Sequence, residues 1–159
     1  FLHRYGYYEC RCKLQKKPGW WSAFWVQSPV IGCCLDPAVA GVENDIMESF
    51  TPGKIIEHCN HYDGYGEDHK QANAGHGMEL SLDEYHVFGM LWEEDGYTFY
   101  VDGKEDGKTA SPVSHIPQFI LISTEVNGYR QKERTATEEA RLAVGDEFIV
   151  DYVRVFDRV

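Results

Sequence analysis

The feature that most constrains this chain is the shortness of its apolar stretches. They run five to ten residues or so, alternate in character along their length, and are interrupted by Gly, Pro, Asn or Asp, with no long amphipathic helix among them. In residues 5–14 (YGYYECRCKL), Tyr5, Tyr7, Glu9 and Arg11 share one side, and Gly6, Tyr8, Cys10, Cys12 and Leu14 share the other. That period of two predicts a strand. A Lys-Lys-Pro-Gly turn at residues 16–19 leads into a second strand at 21–27 (WSAFWVQ), and residues 28–40, with Pro29, Gly32 and Pro37, read as a loop.

Further strands are expected at 42–49 (VENDIMES), 55–61, 119–126 and 148–156 (FIVDYVRVF), with an exposed Gly-rich connection over 63–77. Residues 85–92 and 97–101 predict a hairpin, Asp102-Gly103 marks a second tight turn, and the charged segment 130–143 reads as a loop or one short helix. No internal repeat is visible. This pattern predicts an all-β protein, an antiparallel β-sandwich or jelly roll, and the 159 residues fit one domain spanning 1–159.

Composition narrows the partners. With 15 Lys and Arg against 26 Asp and Glu, the net charge of -11 repels nucleic acid and anionic membranes, and no apolar run reaches the roughly 18 residues of a membrane span. Aromatic residues make up 14% of the chain, which suits both a β-rich core and the stacking of sugars on ring faces. The sequence starts at Phe1, residues 1–14 already read as a strand, and the chain is expected to be processed, trimmed or a fragment. Five cysteines form no CxxC pair, leave an odd thiol, and are expected to be buried thiols. His58, His61, His69 and His76 match no zinc spacing, so no metal site is expected.

Residues 41–50 (GVENDIMESF) place three acids within six positions of an apolar segment. Glu43 and Asp45 share a strand face, whereas Glu48 falls on the opposite one in regular geometry. A β-bulge at the apolar pair Ile46-Met47 would return Glu48 to that face and line one cleft with three carboxyls. Crowded like charges hold one such group protonated. One ionised and one protonated carboxyl are what a retaining glycosidase needs, and the bland alternative is a solvated edge strand.

GVENDIMES resembles the bulged E-x-D-x-x-E signature of the laminarinase-like members of glycoside hydrolase family sixteen. YGYYECRCKL resembles the family's Y-G-x-x-E-A-R-x-K strand and WWSAFWVQ its W-P-A-F-W strand. Residues 84–105 resemble its F-H-x-Y-x-x-x-W and Y-V-D-G hairpin, and FIVDYVRVF its closing V-D-Y-V-R-V-Y strand. The matches follow the family's order, with departures at Asn44, Cys10 and Ser22 and almost nothing where the family's first strands stand.

The resemblance implies a concanavalin A-like jelly roll, amino-terminally truncated, with a concave substrate cleft. It implies Glu43 as nucleophile, Asp45 as its neighbour and Glu48 as acid/base in hydrolysis of a β-1,3- or β-1,3/1,4-glucan. Trp21 and Trp25 are expected to stack sugar, His61 to steady Glu48, and Glu125, Asn127 and Tyr129 to reach hydroxyls; Glu67, Asp68 and His69 sit on what reads as a solvated loop. No cofactor is required. Asp151 resembles a structural-calcium position whose companion ligands stand in the absent segment. The same family includes agarase-, porphyranase- and carrageenase-like galactan hydrolases, for which Lys54, Lys70 and Arg130 offer positive charge, and a non-catalytic carbohydrate-binding sandwich is the other alternative. Secretion, a polysaccharide partner and self-association through an exposed sheet edge complete the expectations.

Overall fold

Alternation in the sequence becomes alternation of burial in a computed structural model of the chain, which describes residues 1–17, 20–50, 56–76, 80–110, 112–126, 141 and 143–157. Strand β1 (Gly6–Lys13) buries every second residue, and its face of Tyr8, Cys10 and Cys12 is fully enclosed. The other strands are β2 (Trp20–Gln27), β3 (Glu43–Ser49), β4 (Glu57–Tyr62), β5 (Lys70–His76), β6 (His86–Glu93), β7 (Gly96–Val101), β8 (Lys104–Thr109), β9 (Phe119–Val126) and β10 (Ile149–Phe156). A short helix, α1 (Pro37–Ala40), sits in the loop before β3, started by Asp36, whose carboxylate accepts from the Ala38 N–H.

The strands form two antiparallel five-stranded sheets, in the orders β10-β1-β6-β7-β8 and β5-β4-β3-β2-β9. Between them lies a core of Tyr8, Phe24, Ile46, Met47, Phe88, Met90, Trp92, Tyr97 and Phe99. The outer face of the second sheet is left to build a cleft. Among the described residues no helix is long and apolar enough to cross a membrane.

The predicted bulge is present. On one side Asp45 pairs with Cys59 and Glu48 with Glu57, so three steps along β3 answer two along β4. On the other, Trp25 pairs with Asp45 and Phe24 with Met47, which identifies Ile46 as the extra residue. Ile46 and Met47 both point into the core. The Ile46 carbonyl accepts a 2.7 Å hydrogen bond from Nδ1 of the buried His58, whose ring stacks on Phe99.

Two expectations need correction. The Gly-rich stretch 63–77 is not all loop: its second half is edge strand β5. Gly75 there lets the backbone lie against Asp106 and Gly107 of β8, and a Cβ on Gly107 would stand 1.9 Å from the Ala74 carbonyl oxygen. The glycines serve a close approach between the two sheets, which a reading of glycine as a breaker misses. Strand β8 also went unread, although the Asp102-Gly103 turn before it is present with positive φ at both positions.

Candidate active site

The cleft is built by strand parity. Trp21, Ala23 and Trp25 on β2, Glu43, Asp45 and Glu48 on β3, and Glu57, Cys59 and His61 on β4 line one depression of about 340 Å³. Phe50, Tyr65, His69, Gln71, Ser123 and Glu125 complete its walls. Three acids of one strand reach the same space because the extra residue at Ile46 restores their common face.

Each acid has its own surroundings. Glu43 accepts hydrogen bonds from Gln27 Nε2, at 2.7 Å, and from the Tyr65 hydroxyl. Asp45, 5% exposed, faces His61 with 3.2 Å between Oδ2 and Nε2. The Asp45 hydrogen bond pushes the His61 imidazole up to about 10, so the ring is protonated at neutral pH, and His61 Nδ1 lies 2.9 Å from Nε2 of His69.

Glu48 is 7% exposed and accepts a 2.9 Å hydrogen bond from the Trp21 indole N–H. Burial first, then the Asp45 charge, push its carboxyl up to about 8, against the opposing pull of Trp21 and His61. It therefore carries a proton at neutral pH. A dry protonated carboxyl and a carboxylate held by two donors share the cleft, an arrangement that can deliver a proton and a nucleophile to one bond.

Trp21 and Trp25 both face the cleft; Trp21 packs on Phe50 with ring centres 4.8 Å apart, and Trp25 donates to Ser123 Oγ at 3.0 Å. Glu125 lines the wall, while Asn127 and Tyr129 lie outside the described residues. His61 makes its close contact with Asp45, and its charge also favours the ionised form of Glu48, whose cross-strand partner is Glu57. Of the loop trio, His69 reaches the cleft, whereas Glu67 and Asp68 are exposed and do not line it.

Sequence reasoning missed Gln27, Tyr65 and Cys59. Gln27 shares the parity of Trp21 and Trp25 and was findable; Tyr65 stands on a turn with no periodic signal. Cys10, Cys12 and Cys59 are buried as expected, but Cys33 and Cys34 are exposed. Asp151 accepts a hydrogen bond from Arg11, and no cluster of three His, Cys, Asp or Glu ligands among the described residues includes it.

The chain is 27% identical over 157 residues to an endo-1,3-1,4-beta-glycanase (EglC) of Rhizobium meliloti (strain 1021), and 28% identical over 173 residues to a glucan endo-1,3-beta-glucosidase A1 of Niallia circulans. These alignments cover 98% and 96% of this chain but only 31% and 24% of those proteins. The chain thus spans about a third or less of the curated relatives it matches. Its fold superposes on the catalytic domain of an endo-1,3-beta-glucanase (laminarinase) of Thermotoga petrophila RKU-1 with a TM-score of 0.72 and 26% identity, covering 99% of this chain and 65% of that one. Residues 1–144 match the family model of Glycosyl hydrolases family 16, and the chain belongs to that family.

Proposed function

We propose that this chain is the catalytic sandwich of a retaining endo-β-glycosidase acting on β-1,3- or mixed β-1,3/1,4-glucan. The observation that carries the reading is the Ile46 bulge, which brings an ionisable Glu43 and a proton-bearing Glu48 to one groove. Glu43, oriented by Gln27 and Tyr65, attacks the anomeric carbon while Glu48 protonates the departing oxygen, giving a covalent glycosyl-enzyme. Glu48, now ionised, then draws a proton from the water that releases the sugar with retention. Asp45, paired with His61, keeps negative charge beside Glu48 and so favours its protonated form before attack. Trp21 and Trp25 offer ring faces to the pyranose units.

The neutral glucan is favoured over a sulfated galactan because the described cleft lining contains no Lys or Arg. Of the three expected cations, Lys70 is bound 2.7 Å from Asp63, and Lys54 and Arg130 lie outside the described residues. A polymeric substrate of this kind places the work outside the cell. The test is reducing-sugar release from laminarin, barley glucan and agarose, with the first-formed anomer read by NMR. Release of β-anomers from the glucans supports the reading. Glu43→Ala should lose on the order of 10⁴-fold or more in kcat and regain turnover with azide as an α-glycosyl azide. No release from any of the three polysaccharides by folded protein, or first-formed α-anomers, would refute it.

A further inference from the structure

One wall of the cleft sets a cysteine with no part in the hydrolytic chemistry, Cys59, beside the Asp45–His61 pair. Cys59 and His61 are two positions apart on β4 and so present both side chains on the cleft side, and Asp45 on β3 is the direct cross-strand partner of Cys59. The metal-binding atoms of Asp45, Cys59 and His61 all lie within 4.8 Å of one another, with Asp45 Oδ2 and His61 Nε2 3.2 Å apart. Zinc bonds of about 2.0–2.3 Å in a tetrahedron set ligand atoms roughly 3.3–3.8 Å apart, so closure calls for movements of an ångström or so.

We infer that Asp45, Cys59 and His61 form a binding site for a thiophilic divalent cation of the zinc class, whose occupation blocks the glucan cleft.

The donor set of one sulfur, one imidazole and one carboxylate is the mixture that zinc accepts and that magnesium or calcium does not. Three protein ligands leave a fourth position facing the open groove. The supporting contacts resemble those around metal-binding histidines: His61 keeps its other ring nitrogen on His69, stacked at 5.0 Å, which holds the imidazole plane. The Asn73 side-chain amide, 3.3 Å from the Cys59 sulfur, can take the thiol proton or, turned over, donate to the thiolate. As the cation enters, the protons of the Cys59 thiol and of His61 leave to solvent. The ion then occupies the space beside Glu43 and Glu48 and takes Asp45 out of its role near them. The inhibitory consequence rests on the proposed glucan site, but occupancy does not.

Cobalt(II) as a spectroscopic stand-in and zinc by calorimetry test the site on the intact chain. In a Cys33→Ser/Cys34→Ser background, which removes the two exposed thiols, one equivalent of cobalt should give a thiolate charge-transfer band, and zinc should bind. Adding Cys59→Ser should abolish the band and weaken zinc by at least about 100-fold, since loss of a direct ligand exceeds the 10- to 100-fold cost of losing an outer partner. Asp45→Asn, which retains Cys59, should also weaken zinc. Saturating laminari-oligosaccharide should compete with zinc, which reads the blockage without turnover. A band that survives Cys59→Ser, or disappears with Cys33 and Cys34, overturns the site, and zinc binding unaffected by an oligosaccharide that calorimetry shows to bind the zinc-free chain overturns the blockage.

Discussion

Replacing Trp21 with Phe isolates one hydrogen bond at the acid. The indole N–H lies 2.9 Å from Glu48 Oε1 and favours the ionised carboxyl, opposing the burial that drives its proton affinity up to about 8. A hydrogen bond to a charged group contributes about 1.5–3 kcal/mol and one to a neutral group about 0.5–1.5, so the differential is about 1–1.5 kcal/mol. At 1.36 kcal/mol per pKa unit, its loss should raise the Glu48 proton affinity by about one unit. Activity needs Glu48 protonated, so kcat/KM should fall in the parent enzyme as pH rises through about 8. In Trp21→Phe that alkaline limb should move to about 9. Phe keeps a ring against Phe50 but offers a smaller sugar platform, so the height of the profile will drop as well. The position of the limb is independent of its height. A limb that stays in place, or moves to lower pH, refutes the assignment of Glu48 as the acid held by Trp21.

Two further outcomes concern stability. The folded chain keeps the Glu48 proton through the window from 4.5 to about 8, whereas the unfolded chain releases it near 4.5, so this group weakens the fold increasingly as pH climbs through that window. Glu48→Gln should therefore be more stable than the parent by about 1–3 kcal/mol at pH about 8, with the gap closing toward pH 4.5; a melting-temperature difference independent of pH would count against it. Gly107→Ala should cost about 2–3 kcal/mol, because its methyl meets the Ala74 carbonyl oxygen at 1.9 Å, and the melting temperature should fall by roughly 4–12 °C. An unchanged melting curve would show that β5 and β8 do not need that approach.

Legibility in the sequence followed periodicity. The buried face of β1 could be read residue by residue because Tyr8, Cys10 and Cys12 recur every second position against Tyr7, Glu9 and Arg11. The convergence of Glu43, Asp45 and Glu48 on one cleft was readable from the doublet Ile46-Met47, where two apolar residues stand in place of one. What escaped lacked that signature. Strand β5 (KQANAGH) contains little apolar surface because it is an edge, and its Gly75 answers to a neighbour some thirty positions later. Tyr65 and Cys59 enter the site through tertiary proximity, and the partner of His61 depends on which residues face each other across β3 and β4. Register of that kind is set by pairing between strands and leaves no trace within either one.

The extra residue at Ile46 also sets what kinds of change this protein can absorb. Side-chain replacements at 46 or 47 alter packing but leave the count intact, so they act on stability in a graded way. Losing one of the pair would take out the bulge and restore plain alternation, so the last acid would still face the groove, one step closer to its neighbours on a straighter strand. What must be kept is a common face for the acids, met by an odd spacing with one bulge or by an even spacing with none.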